Sequence, residues 1–129
     1  MKNFLLIIGV LTMSQFSHAK QEMIFKGYAY FKIKPAHITD FKAEVQKIIN
    51  PTLKEDGCIS YEAYQIFDEK GQPTNGFVFH ELWKSKKAMM IDHKEKAPHM
   101  KFFFEKIKIG KPDSYVESFD VSGFEVKSL

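Results

Sequence analysis

The stretches GCISYEAYQIF (Gly57–Phe67) and FVFHELWKSKKAMMIDHKEKAPHM (Phe77–Met100) decide the fold. Each opens on a run of aromatic and aliphatic residues, and a polar segment, EKGQPTNG from Glu69 to Gly76, separates the two runs. The pattern predicts an antiparallel hairpin with strands from Cys58 to Phe67 and from Gly76 to Trp83. Side chains alternate along a strand, so Phe77, Phe79, Glu81 and Trp83 share one face, while Val78, His80 and Leu82 share the other. After Trp83 the step Lys84-Ser85-Lys86 enters a helix that Ser85 can cap and that runs to about Lys94. Pro98 can start another helix, carrying Met100, Phe103, Phe104 and Ile107 inward. His93 and His99 thereby fall close behind Trp83.

Outward from this segment, Met23–Lys34 (MIFKGYAYFKIK) reads as a first strand that Pro35 ends. Ile38, Phe41, Val45, Ile48 and Ile49 recur at helical spacing with charges between them. Asn50-Pro51 predicts a break or kink, with a second short turn running to Asp56-Gly57. Gly110-Lys111-Pro112 stops the last helix, and Ser114–Phe119 is expected as a fourth strand. The order is β-α-β-β-α-β, which defines an α+β, ferredoxin-like fold with an antiparallel sheet. The sheet is apolar on both faces, whereas helices cover only one. A second copy of the chain is the simplest cover, so a homodimer is expected.

Residues 1–19 read as an address. Lys2 precedes an apolar run from Phe4 to Met13, and Ser17-His18-Ala19 has the small residues of a cleavage site. The run is too short to span a bilayer, which takes about 20 residues. A cleavable signal peptide ending at Ala19 and a periplasmic or secreted product are therefore expected. Residues 20–129 would form one domain, with its core over 23–119 and a tail over 120–129 that forms a C-terminal arm or an extra edge strand. Without Lys2, 18 of the chain's 19 basic side chains remain against 16 acidic ones, an almost even balance. That balance argues against nucleic acid and against an anionic membrane surface as partners. Every basic residue is Lys, so no Arg fork is present to clamp a phosphate or carboxylate. Cys58 is the sole cysteine and is expected to pack as a small apolar group.

With these residues placed, the chain resembles the antibiotic biosynthesis monooxygenase family of dimeric α/β barrels. The resemblance is carried by Gly57-Cys58-Ile59-Ser60-Tyr61-Glu62, by Phe79-His80-Glu81-Leu82-Trp83-Lys84-Ser85-Lys86-Lys87-Ala88, and by His93 and Pro98-His99. It covers about Met23 to Phe119. It implies a small aromatic ligand between sheet and helices and no obligatory cofactor, with haem as a possible ligand in one branch. The chain departs from the haem-degrading branch, which has an Asn on the first strand where Tyr28–Phe31 has none. It also departs from the aromatic oxygenases, which carry an Asn where Phe79 stands and use a pocket Arg.

The candidate catalytic residues are His93, Trp83 and Glu81. His93 is a candidate general base, since an imidazole titrates near neutrality. Trp83 would wall a flat aromatic pocket, and Glu81, on the same face, would act as a buried carboxylate base or fix the helix start near Ser85. Tyr61, Phe79, His99 and Phe103 are candidate substrate-binding residues. His80 points to the opposite face and is expected at a subunit interface. No H-x-x-x-H spacing is present, so no structural metal is expected. Two functions follow: a cofactor-independent monooxygenase of a quinol-like or polycyclic phenol, or a dimer that holds haem or another planar aromatic without turnover. A third arrangement has Phe79, Met89 and Phe103 filling the space between sheet and helices, leaving a structural or interaction module.

Overall fold

Strand β1 (Ile24–Ile33) lies inside an antiparallel sheet of order β2-β3-β1-β4, flanked by β3 (Pro73–Trp83) and by β4 (Val116–Val126), with β2 (Cys58–Phe67) at the far edge. The computed structural model describes residues 23–129. The leader expected over residues 1–19, with cleavage after Ala19, lies outside the described residues. Three helices, α1 (Ile38–Leu53), α2 (Ala88–Lys96) and α3 (Pro98–Lys106), complete the ferredoxin-like order.

Register follows the alternation in the sequence. Phe25, Gly27, Ala29, Phe31 and Ile33 of β1 turn to the helical layer, opposite Trp83, Glu81, Phe79 and Phe77 of β3. Phe31 is the hub of the core: its ring lies 5.3 Å from Phe41, 5.5 Å from Phe79 and 4.5 Å from Phe119. Each such side chain contributes about 1.5–3 kcal/mol by leaving water. Helix α1 presents Phe41, Glu44, Val45, Ile48 and Thr52 inward at the predicted spacing.

Several features differ from expectation, among them the start of β3 at Pro73, inside the expected polar turn, rather than at Gly76. Helix α1 runs through Pro51 unbroken to Leu53. Pro51 withholds only its own N–H, and it falls in the final turn, where the helix is about to end in any case. The amide of Lys54 then bonds back to the carbonyls of Asn50 and Pro51. Strand β4 does not stop at Phe119. Its pairing with β1 continues through Gly27↔Gly123 to Ile24↔Val126, so most of the tail is an edge strand. Helix α2 is wound as a π-helix, wider than an α-helix, a form that often marks functional sites.

On the sheet's outer face stand Tyr28, Tyr30, Tyr64, Val78, His80, Leu82 and Phe124. Tyr30, Tyr64 and Phe124 are exposed. His80 lies on this face as expected, edge-on to Tyr28 at 5.3 Å and to Tyr64 at 5.6 Å.

Candidate functional site

The end of α1, the turn after it, the β2-β3 hairpin and helix α2 converge on His93. The π-helical winding buries Ala88, Met89 and His93 together against the sheet. Ser85 Oγ accepts the N–H of Ala88 at 3.1 Å where the helix begins, as the sequence predicts. His93 is 3 % exposed, with its ring 4.7 Å from Trp83 and 5.4 Å from Tyr61.

The hydrogen bonds give these rings a direction. Trp83 Nε1–H donates to Oε1 of Glu81 at 2.9 Å. Nδ1 of His93 lies 2.6 Å from Oε2 of Glu55, and that same oxygen is 3.0 Å from Nε2 of His99. Thr52 Oγ1, at the buried end of α1, is 3.1 Å from Nε2 of His99. Nδ1 of His93 is thus engaged, and no protein group among the described residues bonds its Nε2. Because no buried side-chain nitrogen or oxygen there is left without a partner, Nε2 opens onto the recess that His93 lines.

That recess is shallow, with about 30 Å³ of room beneath its open mouth. Its polar wall is Tyr61, Glu81 and His93. Its apolar wall is Phe31, Phe79, Phe103, Phe104 and Phe119, with Met89 and Met100, and Lys94 also borders it. A Cβ at Gly27 would meet the thioether end of Met89, which would have to swing aside.

Burial sets the electrostatics. It pushes Glu81 up to about 7, against the pull of the Trp83 N–H bond. Burial, with the negative charges of Glu81 and Asp92, pushes Glu55 up to about 7. Burial holds His93 down, to about 3, with His99 adding to the effect, so the imidazole is neutral at neutral pH. His99 is lowered by the same cause. Tyr61 is raised well above its usual range, chiefly by burial, and stays a neutral phenol. With Glu55 ionised, His93 donates from Nδ1 to the carboxylate and keeps a lone pair on Nε2.

The Glu81 shift has a stability consequence. A carboxyl that binds its proton more tightly folded than unfolded stabilises the fold below its unfolded pKa and loses that contribution as pH rises through the folded one. The window is from 4.5 to about 7. Glu81→Gln should remove the loss, so its stability relative to the wild type should improve on the order of 2–3 kcal/mol from about pH 5 to about pH 8. Urea unfolding at the two pH values measures this, and an unchanged difference would contradict a buried, titrating Glu81.

Of the residues expected at the site, Tyr61, Phe79, Glu81, His93 and Phe103 line the recess. Trp83 does not. It is fully buried, its indole N–H bonded to Glu81, and it borders a separate hollow with Glu55, Gly57, Ser85, Ala88 and Asp92. Glu81 fixes this indole rather than the helix start near Ser85. His99 also stays off the recess and stands behind His93, 6.0 Å from it ring to ring. Sequence reasoning missed Glu55 and Thr52 as parts of the site, and named Met89 only as a filler of the space between sheet and helices. Cys58 is a free, half-buried thiol that burial pushes up to about 11, in keeping with a packing role.

Fold and site together define a small sheet-and-helix domain with a carboxylate-backed imidazole facing an aromatic recess. The model of the antibiotic biosynthesis monooxygenase family matches residues 25–106, and the chain belongs to that family. It is 35 % identical over 80 residues to the Bacillus subtilis protein named "Putative monooxygenase YcnE", covering 62 % of this chain and 78 % of that one. It is 36 % identical over 75 residues to the Synechocystis "Uncharacterized protein sll1783", covering 58 % of this chain and 47 % of that one. The match thus spans about half the length of the Synechocystis relative. Among solved structures, the "Putative antibiotic biosynthesis monooxygenase from Nitrosomonas europaea" superimposes with a TM-score of 0.64 at 18 % identity, over 84 % of this chain and 93 % of the other. At that identity the likeness is one of fold.

Proposed function

We propose that the protein is a monooxygenase that acts, without a bound cofactor, on a small electron-rich phenol of the quinol class. One observation carries this reading: a neutral imidazole, backed by Glu55 at 2.6 Å, has its other nitrogen open to an aromatic-walled recess. Such a nitrogen can take the phenolic proton, and Glu55 offsets the positive charge that forms on the ring. The phenolate then donates an electron to oxygen, the two radicals combine in a carbon–oxygen bond, and the peroxide collapses. A quinol and one O₂ give a hydroxyquinone and one water. The substrate supplies all four electrons, so no further reductant is required. Tyr61, and Glu81 in its protonated form, would donate to the developing negative oxygen. The phenylalanine wall would keep the reacting pair dry.

The volume favours this reading over haem binding. Only about 30 Å³ of the recess lies beneath its open mouth, room for about one water, so a single phenolic ring entering as Met89 or Phe103 shifts aside suits it better than a macrocycle. Oxygen uptake matched to quinol loss tests the activity. An active form with a second copy on the outer sheet face is part of the proposal, supported by the exposed Tyr30, Tyr64 and Phe124 there. Sedimentation should return the mass of two chains, and a monomer at working concentration would contradict this part.

A further inference from the structure

Behind the recess, Glu55, His93 and His99 arrive from three separate places: the turn after α1, helix α2 and the first turn of α3. One donor atom from each lies within 4.8 Å of the other two. The shared Glu55 oxygen is 2.6 Å from Nδ1 of His93 and 3.0 Å from Nε2 of His99. Two imidazoles and a carboxylate are a donor set for borderline first-row cations such as Zn²⁺ and Co²⁺. Bonds of about 2.0–2.2 Å place neighbouring donors about 3–3.5 Å apart, so the short separations need open by less than about 1 Å.

The surroundings favour a cation. Among the described residues the ion-pair partners of Glu55 are the two imidazoles alone. Asp92 and Glu81 add negative charge from either side. The Lys87 ammonium pairs with Asp92 at 2.9 Å. Thr52 Oγ1 lies 3.1 Å from the same Nε2 of His99, a contact that a bound metal would displace. The side chains of His99 and Glu55 keep 20 % and 17 % of their exposure, which leaves an entry path, while His93 closes the inner side.

We propose that Glu55 Oε2, His93 Nδ1 and His99 Nε2 bind one divalent transition-metal ion of the Zn²⁺ class, with at least one position open to water. The site is invisible to spacing rules along a single helix, because its three ligands share none. It is independent of the oxygenase reading and antagonistic to it. A metal on Nδ1 leaves a hydrogen on Nε2 of His93, so an occupied site holds no free base there.

The test uses untagged, metal-free protein titrated with Co²⁺ near neutral pH, followed by visible d–d absorption, and then with Zn²⁺ against a chromophoric chelator. One Co²⁺ per chain, displaced by one Zn²⁺, is expected. His99→Ala and Glu55→Gln alter partly exposed side chains and should leave the circular dichroism spectrum intact, yet weaken binding at least about 100-fold, the upper end of what outer-shell changes do. His80→Ala, on the opposite sheet face, should bind as the wild type does. No saturable Co²⁺ spectrum, or binding unchanged in both ligand variants, would overturn the proposal. Because the readout is binding, loss or absence of oxygenase activity does not affect it.

Discussion

Replacing His93 by Ala should lower kcat/KM for quinol oxidation about 10²–10⁴-fold, the range for removing a general acid–base group. Most of the loss should appear in kcat, because the wall that holds the substrate is built from Phe31, Phe79, Phe103 and Phe119, none of which is altered. His93→Gln separates chemistry from packing. It fills much of the same buried volume and can still reach Glu55, but it offers no basic nitrogen to the recess. A similar loss in both variants, with unfolding midpoints near the wild type in His93→Gln, identifies proton transfer as the missing element. Activity retained in both would remove His93 from the mechanism.

Trp83→Ala should cost about 3–5 kcal/mol of stability, a large part of the 5–15 kcal/mol that holds a typical domain together. Trp83 is fully buried at the junction of β3, β2 and α2, so the cavity it leaves has little freedom to collapse. Its loss also removes the N–H that Glu81 accepts, leaving a buried carboxyl without its donor. Trp83→Phe keeps most of the volume and isolates this polar part, about 1–3 kcal/mol. Urea unfolding followed by far-ultraviolet circular dichroism measures both, since Trp83 is the chain's one tryptophan and its fluorescence is lost. A change under about 1 kcal/mol for Trp83→Ala would contradict a packed anchor.

The strands were legible because period-two alternation is a local property. Phe77, Phe79, Glu81 and Trp83 had to share a face whatever the tertiary structure did. The same alternation brought Tyr61 and Glu81 together, opposite one another across β2 and β3. Less was legible where a long-range contact overrides a local rule. Pro51 reads as a break, yet it falls where the helix ends in any case. Beyond Phe119 the alternation of β4 is weak, and pairing with β1 alone carries the strand on to Val126. The role of Trp83 could not be read from its residue type. An indole at a strand end can face a ligand or a neighbouring carboxylate, and only the packed core decides between them.

Glu55 is the instructive omission. It lies in the turn between α1 and β2, where neither helical nor strand periodicity assigns a direction to a side chain. Nothing local distinguishes it from Asp56 beside it. What selects Glu55 is the meeting of α2 and α3 with the end of α1, which brings His93 and His99 to the same oxygen. The π-helical winding of α2 was equally hidden, and its i→i+5 repeat sets the phase that buries Ala88 and His93 together.

The central claim is that the Glu55-backed His93 takes a proton from an electron-rich phenol in the recess and that oxygen then adds to the resulting anion. The most direct measurement is parallel aerobic and anaerobic turnover of a small panel of quinols by the wild-type protein, following quinol absorbance and dissolved oxygen together. The account predicts one O₂ consumed per quinol in air, a hydroxylated quinone as product, no hydrogen peroxide, and no turnover without oxygen. No oxygen uptake above the uncatalysed rate across the panel, or peroxide released in step with simple quinone formation, would contradict it.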